Sequence, residues 1–242
     1  MNPLTLKEAQ KLYSGVSKNI SKIKKTDVVI CAPFIYLAGL KKLSKKISLG
    51  AEDAFAGDVG AFTGQVSAEM LYEIGARYVI LGHSERRALG ESNLDVNKKL
   101  KSALASSLTP ILCVGETVRD DGHEYFNIVK TQIVECLAGI NKNVFKDIII
   151  AYEPVWALST TANRKDATSH DANEMAIYIR KVLSDLSNPE IVNKIRVIYG
   201  GSANEKDAGE FLVNGGVDGL LAGRASLTME KFVSIIKIAE TI

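Results

Sequence analysis

Residues 148–156 read Ile148-Ile149-Ile150-Ala151-Tyr152-Glu153-Pro154-Val155-Trp156, and they indicate both the fold class and a reactive group. A short apolar run of this kind is typical of a parallel strand that is covered on both faces. Glu153 follows the run, and Pro154 and the only tryptophan of the chain restrict the loop behind it. The stretch therefore predicts a carboxylate at the carboxyl end of a buried strand.

A second strand end supplies an imidazole. Residues 78–85 read Tyr-Val-Ile-Leu-Gly-His-Ser-Glu, so His83 follows another apolar run. Ligands of parallel α/β folds gather at the carboxyl ends of the strands. A carboxylate and an imidazole on neighbouring strand ends could therefore move protons on a small carbonyl compound.

Each of the two groups also has a plainer interpretation. A carboxylate such as Glu153 is either a member of a structural ion pair or a catalytic base. A lone histidine is often satisfied within its own loop. If Ser84–Arg87 forms a first helical turn, its positive end disfavours imidazolium, so a neutral His83 is expected.

Short apolar runs alternate with amphipathic stretches along the whole chain, which is typical of a parallel sheet with helical crossovers. Seven strands are predicted: Asp27–Phe34, Ile47–Asp53, Arg77–Ser84, Thr109–Glu116, Asp147–Val155, Ile195–Ser202 and Val217–Gly223. A helix opened by a capping box of Thr5 and Glu8 precedes them. The expected architecture is an α/β fold of eight helices and seven strands in a single domain, residues 1–242.

This pattern resembles an eight-fold strand-then-helix barrel without its first strand. Such a barrel closes because strand number, tilt and stagger fit together. We therefore expect either a broken barrel with two unpaired edges, or further residues upstream of Met1 that this sequence does not include.

The composition argues against several classes of partner. The net charge of +2 gives no strong field for nucleic acid or a membrane surface. Three cysteines without paired metal spacing suggest a reducing compartment, and no metal site is indicated. The amino terminus lacks a leader pattern, so a cytoplasmic protein is expected.

Two loops near the end of the chain favour the binding of an anion. Gly200-Gly201-Ser202 joins a strand to a helix that Ser202 and Glu205 could cap, which would direct backbone N–H groups at the loop. Gly223-Arg224 follows the last strand, where barrels often bind phosphate. A glycine pair alone is also typical of a tight turn, but two such loops on adjacent strands favour a phosphate monoester.

Four ordered motifs together resemble the triosephosphate isomerase family. They are Gly60-Ala61-Phe62-Thr63-Gly64, Gly82-His83-Ser84-Glu85-Arg86-Arg87, Tyr152-Glu153-Pro154-Val155-Trp156-Ala157 and Tyr199-Gly200-Gly201-Ser202. The resemblance extends over the whole chain and implies a TIM (β/α)8 barrel. It also implies interconversion of dihydroxyacetone phosphate and D-glyceraldehyde 3-phosphate through an enediolate, in glycolysis and gluconeogenesis, with no cofactor.

The resemblance assigns a role to each matching residue. It implies that Glu153 is the base, that His83 is a neutral electrophile, that Glu85 is an auxiliary carboxylate and that Cys113 is a buried cysteine near the base.

The same resemblance implies the binding residues and the assembly. Backbone N–H groups near Ser159, Ser202, Gly223 and Arg224 would hold the phosphate, and the segment after Trp156 would form a lid. Thr63 would reach into a neighbouring subunit of a homodimer.

The chain departs from the family pattern in three places. Residues 157–168 are longer than the usual lid and contain no glycine, and Arg224 stands where a second glycine is common. The family's asparagine and lysine at the end of the first strand are absent, and loss of one oxyanion donor slows catalysis about 100- to 1000-fold. Reduced activity is therefore expected. The alternatives are a non-catalytic phosphate-binding barrel or assembly partner, and an isomerase of another phosphorylated sugar.

Overall fold

The computed structural model describes residues 3–43, 45–158, 161 and 164–242. Within these residues six parallel strands form one sheet: β1 (Val29–Ala32), β2 (Ser48–Ala51), β3 (Tyr78–Leu81), β4 (Thr109–Val114), β5 (Ile149–Tyr152) and β6 (Arg196–Tyr199). Neighbours in the sheet are also neighbours in the chain, so the strand order never reverses. This order distinguishes a barrel-type α/β fold from a doubly wound sheet.

Helices connect and flank the strands. The α-helices are α1 (Leu6–Asn19), α2 (Phe34–Leu40), α3 (Ala68–Glu73), α4 (Ser84–Ala88), α5 (Asn93–Ala105), α6 (Glu124–Cys136), α7 (Ser169–Leu186), α8 (Pro189–Val192), α9 (Ala208–Asn214) and α10 (Met229–Thr241). Three 3₁₀-helices span Lys142–Asp147, Val155–Ala157 and Arg224–Leu227. The capping box expected at Thr5 and Glu8 is present at the start of α1.

The described residues contain ten α-helices rather than the predicted eight, because two crossovers are each divided in two. After β3, the backbone turns at Gly90, whose φ is +98°, and Ser92 then caps a new helix. After β5, α7 ends at Ser187, and Asn188 caps the short α8 with Pro189 in its first turn.

The predicted seventh strand, Val217–Gly223, is wrong in extent. It is reduced to one parallel bridge between Tyr199 and Leu220, although Tyr199 N donates to Gly219 O at 3.0 Å and Leu221 N donates to Tyr199 O at 2.8 Å. The segment follows the edge of β6 as expected, but in the described chain no strand pairs with its other side. The pairing with β6 is thus confined to one bridge, whereas β5 and β6 share four paired positions.

The sheet curls until its two edges face each other. Arg196, the first residue of β6, donates to Asp27, just before β1, at 3.0 Å. Farther along, a cavity of about 1810 Å³ is lined by Ile30 from one edge and by Ile198 and Leu220 from the other. The sheet therefore forms a cylinder that is open along one side.

The strands bury both faces. Side chains such as Ile111, Cys113 and Ile149 point into the cylinder, whereas alternate side chains such as Leu112 and Ile150 pack under the helices. Burial on both faces explains why the strands read as nearly continuous apolar runs.

Two polar contacts far apart in the chain tie these elements together. Lys99, largely buried on α5, lies 2.7 Å from Asp53 Oδ1 and also binds Glu91. On the other side, the carboxylate of Glu240 accepts hydrogen bonds from the backbone N–H groups of residues 24–26 at 2.8–3.2 Å. The second contact fixes α10 against the loop that leads into β1.

Eight lysines between residues 18 and 46 form a solvated surface. The eight lysines in question are exposed: Lys18, Lys22, Lys24, Lys25, Lys41, Lys42, Lys45 and Lys46. Among the helices in the described ranges, none has the length and apolar character needed to cross a membrane.

Candidate active site

His83 and Glu153 meet at the carboxyl ends of the strands. His83 comes two residues after β3 and Glu153 directly after β5, and both line the same cavity. His83 Nε2 lies 2.9 Å from Glu153 Oε1, and the backbone N–H of Ser84 donates to Glu153 Oε2 at 2.9 Å. The structure thus brings the carboxylate and the imidazole together in one pocket.

Glu153 carries a buried carboxylate at the edge of the cavity. Its side chain is 2% exposed, and within the described chain Oε1 has no well-directed hydrogen bond despite its short contact with His83. The backbone N–H of Glu153 donates to Val114 O at 2.8 Å, which continues the β4–β5 pairing by one residue. A carboxylate with a free lone pair on a rigid strand end can accept a proton from a small molecule.

Two glycines make room for Glu153, and the sequence did not single them out for this role. A Cβ at Gly115 would lie 1.8 Å from the carbonyl oxygen of Glu153, and one at Gly200 would lie 3.0 Å from its Cγ. Both glycines stand at strand ends, which was the available signal. Their lack of a side chain sets the position of the base.

The protonation of His83 reflects opposing effects. Burial lowers the pKa of His83. The contact with Glu153 and the negative charges of Glu153, Glu85 and Glu52 raise it, and the resulting pKa is above the ordinary value of 6.5. His83 Nδ1 accepts the backbone N–H of Glu85 at 3.3 Å, which places the proton of a neutral ring on Nε2. The positive end of α4 is expected to lower the pKa of His83. This effect is smaller than that of the nearby carboxylates, because α4 is only five residues long.

Glu85 is the least enclosed of the three residues expected to be catalytic. Its side chain is 69% exposed, and its Oε2 lies 4.0 Å from His83 Nδ1. It therefore contributes charge near the imidazole rather than direct contact with the cavity floor. Cys113 is fully buried, and burial, followed by the charge of Glu153, raises its pKa well above the ordinary value.

Glu116 stands at a predicted polar strand end, but the sequence assigned it no role, and the structure shows that it anchors the segment after Glu153. Its Oε1 accepts hydrogen bonds from Tyr152 Oη at 2.8 Å and from Trp156 Nε1 at 2.7 Å. Arg119 Nε lies 3.3 Å from the same oxygen, and Glu116 O accepts the N–H of Val155 at 3.0 Å. Burial raises the pKa of Glu116 despite these donors. Its partners hold the loop after Glu153 to the end of β4.

The two expected anion-binding loops face the same cavity. Ser202, Gly223 and Arg224 all line it, and in the described part of the chain their backbone N–H groups donate to no acceptor. A Cβ at Gly223 would meet no atom within 4 Å, so a ligand can approach its backbone. Unpaired amides that face a cavity are suited to bind the oxygens of a phosphate.

Two details of these loops differ from expectation. Ser202 and Glu205 do not cap a helix, because α9 begins only at Ala208. Instead, Ser202 Oγ donates to Ala157 O at 3.2 Å and accepts from Arg164 Nη1 at 3.0 Å. Ser159, the fourth expected phosphate-binding residue, lies outside the described residues.

The donor set offers no metal centre among the residues described: no group of three or more His, Cys, Asp or Glu side chains is placed to hold an ion. Polar groups around the cavity are instead suited to a phosphorylated carbonyl compound, with amides for the phosphate and a base and an imidazole for the reacting carbons.

Comparison with known proteins gives a consistent result. A family model described as triosephosphate isomerase matches residues 1–239. The triosephosphate isomerase of Alkaliphilus metalliredigens is 44% identical over 214 residues, which cover 87% of this chain and 85% of the relative. That of Dehalococcoides mccartyi is 43% identical over 239 residues, covering 97% and 92%, and that of Rhodopirellula baltica is 40% identical over 232 residues, covering 94% and 90%.

Proposed function

The chain belongs to the triosephosphate isomerase family, and we propose that it interconverts dihydroxyacetone phosphate and D-glyceraldehyde 3-phosphate by proton transfer through an enediolate. The observation that supports this most directly is the 2.9 Å approach of His83 Nε2 to Glu153 Oε1 within one cavity. Both groups can face the two adjacent carbons of a triose.

Glu153 acts as the base in this mechanism. Its free Oε1 removes a proton from the carbon beside the carbonyl, and the electrons of the broken C–H bond form a C=C bond while the carbonyl oxygen becomes negative. The proton of the hydroxyl group on the first carbon passes to that negative oxygen, with His83 Nε2 beside both oxygens, and the first carbon becomes the new carbonyl. The same carboxyl group then returns its proton to the neighbouring carbon, so no atom is gained or lost. The backbone bond from Ser84 to Oε2 keeps the second oxygen in place.

His83 stabilises the oxygen that becomes negative. The neutral ring carries its proton on Nε2. This N–H group donates to the substrate oxygen once that oxygen takes the place of Glu153 Oε1. This exchange replaces the contact between the ring and Oε1, which is the strongest of the effects that raise the pKa of His83. A neutral donor is matched to an enediolate of similar basicity.

The phosphate is held by the loops of Ser202, Gly223 and Arg224, whose amides face the cavity. Glu85 serves as the auxiliary carboxylate near His83, supported by its 4.0 Å distance from Nδ1. We propose the same phosphate-binding role for the backbone of Ser159 on the family resemblance alone.

Substitution of the base tests this function. Glu153→Gln should lower kcat/KM by about 10² to 10⁴-fold in a coupled assay of both triose phosphates, because general base catalysis contributes on that scale. Glu190→Gln, an exposed glutamate on α8, is the matched control and should leave the rate unchanged. A Glu153→Gln variant as active as the parent protein would rule out this mechanism.

The assembly that we propose is a homodimer. The loop of residues 57–64 is exposed, with Val59 at 90% and Phe62 at 47%, and Thr63 lies at its tip. The Phe55 and Phe62 rings, with centroids 4.7 Å apart, hold the loop together. Apolar side chains on a projecting loop are typical of an association surface. Sedimentation of the protein and of Val59→Asp should show a dimer and a monomer, respectively, whereas identical masses would contradict the proposal.

We further propose that this chain turns over slowly because its cylinder is open. The loops of Ser202 and Gly223 lie beside the one-sided segment of residues 218–221, so their positions are less constrained than in a closed sheet. Misplacement of binding groups by 1 Å can cost about 10²-fold in rate. A variant with a designed strand added to pair with the free edge of β1 in the described sheet should have higher kcat/KM; equal, fast turnover with and without that strand would refute the idea. The cytoplasmic location stays a prediction.

A further inference from the structure

We propose that Arg164 is a side-chain ligand of the substrate phosphate, in addition to the backbone amides of the two loops. This inference rests on the proposed function, since it names a further group at the same site. Arg164 lies in the segment after Trp156 and lines the cavity together with His83, Glu153 and Gly223.

The guanidinium group of Arg164 contacts the proposed anion-binding loop at Ser202. Arg164 Nη1 donates to Ser202 Oγ at 3.0 Å, and the backbone N–H of Ser202 is unpaired in the described residues. The Arg164 side chain is about one-third exposed, so it is partly sheltered by the loop and still accessible to a ligand. A phosphate oxygen bound to the Ser202 amide would therefore come within reach of the guanidinium.

The present partners of Arg164 leave it able to bind an anion. Its Nη2 contacts Asp166 Oδ1 at 3.1 Å, but that carboxylate is 79% exposed. Exposed ion pairs contribute only about 0–1 kcal/mol, so a phosphate dianion can compete with it. The other contact, to Ser202, is to a neutral hydroxyl. Arginine offers two parallel N–H groups to a phosphate, which gives orientation as well as charge.

The negative charge of the cavity wall favours a cation beside the bound phosphate. Three carboxylates around the reacting centre repel a phosphate dianion: Glu52, Glu85 and Glu153. Among the other cations of the wall, Arg86 pairs with the mostly enclosed Asp53 at 3.1 Å, and Lys231 lies 3.7 Å from Glu205. Lys25 and Arg196 lie at the amino-terminal ends of β1 and β6, away from the phosphate loops. Arg164 and Arg224 are thus the cations best placed at the phosphate loops, and Arg164 is the one in contact with Ser202.

The sequence of this segment supports the same conclusion. Residues 157–168 contain no glycine, and glycine is the residue that lets backbone N–H groups approach a phosphate most closely. A side chain that carries its own donors can replace such an approach. Lys165, the next residue, is also exposed and cationic but has no hydrogen bond or ion pair to the described residues. It is therefore a matched control for the loss of one positive charge.

The experiment compares Arg164→Ala, Arg164→Lys and Lys165→Ala with the parent protein. We expect Arg164→Ala to raise KM for both triose phosphates and the inhibition constant of inorganic phosphate by about 10-fold, equivalent to about 1.4 kcal/mol. Arg164→Lys should recover part of this loss because it keeps the charge without the planar fork. Lys165→Ala should stay within about 2-fold of the parent protein, an effect set by general charge alone.

A second substrate separates phosphate binding from a structural role. Isomerisation of unphosphorylated D-glyceraldehyde should proceed at the same rate in Arg164→Ala and in the parent protein. An equal loss on both substrates, or a KM and phosphate affinity unchanged by Arg164→Ala, would overturn the proposal.

Calorimetric titration with inorganic phosphate keeps this proposal distinct from the proposed function. If the parent protein binds phosphate but does not isomerise trioses, the proposed function fails, while weaker binding by Arg164→Ala would still support the Arg164 site. If the parent protein does not bind phosphate at all, the Arg164 proposal is refuted directly.

Discussion

Gly200→Ala is a sharp test of how the position of Glu153 is set. The added Cβ would lie 3.0 Å from Glu153 Cγ and 3.3 Å from the carbonyl oxygen of Tyr152. Carbon atoms in contact ordinarily stand about 3.5–4.0 Å apart, so the Glu153 side chain must withdraw by roughly 0.5–1 Å. Because Gly200 does not have a positive φ, alanine adds bulk there without backbone strain.

This displacement should cost activity rather than folding. A shift of 1 Å at a reacting group can lower the rate about 10²-fold, so a withdrawal of 0.5–1 Å should reduce kcat/KM by about 10- to 100-fold. That loss corresponds to about 1.4–2.8 kcal/mol of transition-state stabilisation. Gly200 is two residues from Ser202 in the proposed phosphate-binding loop, so a loss confined to kcat, with KM unchanged, distinguishes displacement of Glu153 from disturbance of that loop.

The assay is the coupled interconversion of the two triose phosphates, with thermal unfolding measured on the same samples. Gly209→Ala on α9 is the matched control, since its Cβ would make only an ordinary 3.4 Å contact with Ile238 Cγ2. It should keep full activity and gain up to about 1 kcal/mol of helix stability. If Gly200→Ala retains the kcat/KM of the parent protein, steric placement of Glu153 by this glycine is refuted.

Three further predictions concern charge. Lys99→Met should lower the free energy of unfolding by about 1.5–3 kcal/mol in urea titrations, because it removes charge-assisted bonds to Asp53 and Glu91 and, among the described residues, leaves only the half-exposed Arg86 beside them; a loss below about 1 kcal/mol would contradict this. In Glu153→Gln, the pKa of His83 measured by NMR should fall, since the carboxylate raises it. A raised folded-state pKa means that the stabilisation is complete below about pH 6.5 and is lost as pH rises through the folded value, so this dependence should shrink in the variant; an unchanged titration would argue against the contact. Desolvation raises the pKa of Glu240, but its hydrogen bonds to residues 24–26 lower the pKa by more, so the net pKa is below the ordinary value. The stabilisation by this carboxylate is therefore present above about pH 4.5 and is lost as pH falls through the folded value. Glu240→Gln should therefore flatten the acid side of the stability curve, and an identical acid transition would show that the carboxylate contributes nothing.

The sequence identified those parts of the fold that depend on local pattern. Apolar runs located six strands, and the Thr5 capping box marked the start of α1, because both signals lie within a few neighbouring residues. The segment at Val217–Gly223 has the same apolar pattern, yet it forms only a bridge at Leu220. Pattern indicates that a segment can pair, but the length of the pairing depends on the path of the neighbouring strand, which local sequence does not show.

The candidate site likewise combines residues that local sequence marks with contacts that it does not. His83 and Glu153 could be grouped from the sequence, because parallel topology brings strand ends to one edge. The hydrogen bonds of Glu116 could not, since its partners come from positions up to 40 residues away and no local spacing marks them. The contact of Arg164 with Ser202 spans 38 residues that include α7, α8 and β6, so no local spacing marks it. Long-range polar contacts therefore needed the three-dimensional structure.

The bonds between Glu240 and the amides of residues 24–26 have a practical consequence for handling the protein. They join the last turn of α10 to the segment that precedes β1, so the carboxyl-terminal residues hold the amino-terminal part of the chain in place. Trimming residues 240–242 should loosen the amino-terminal quarter of the molecule, whereas an affinity tag added after the exposed Ile242 should leave it intact. Hydrogen exchange at the amides of residues 24–26 would report the release.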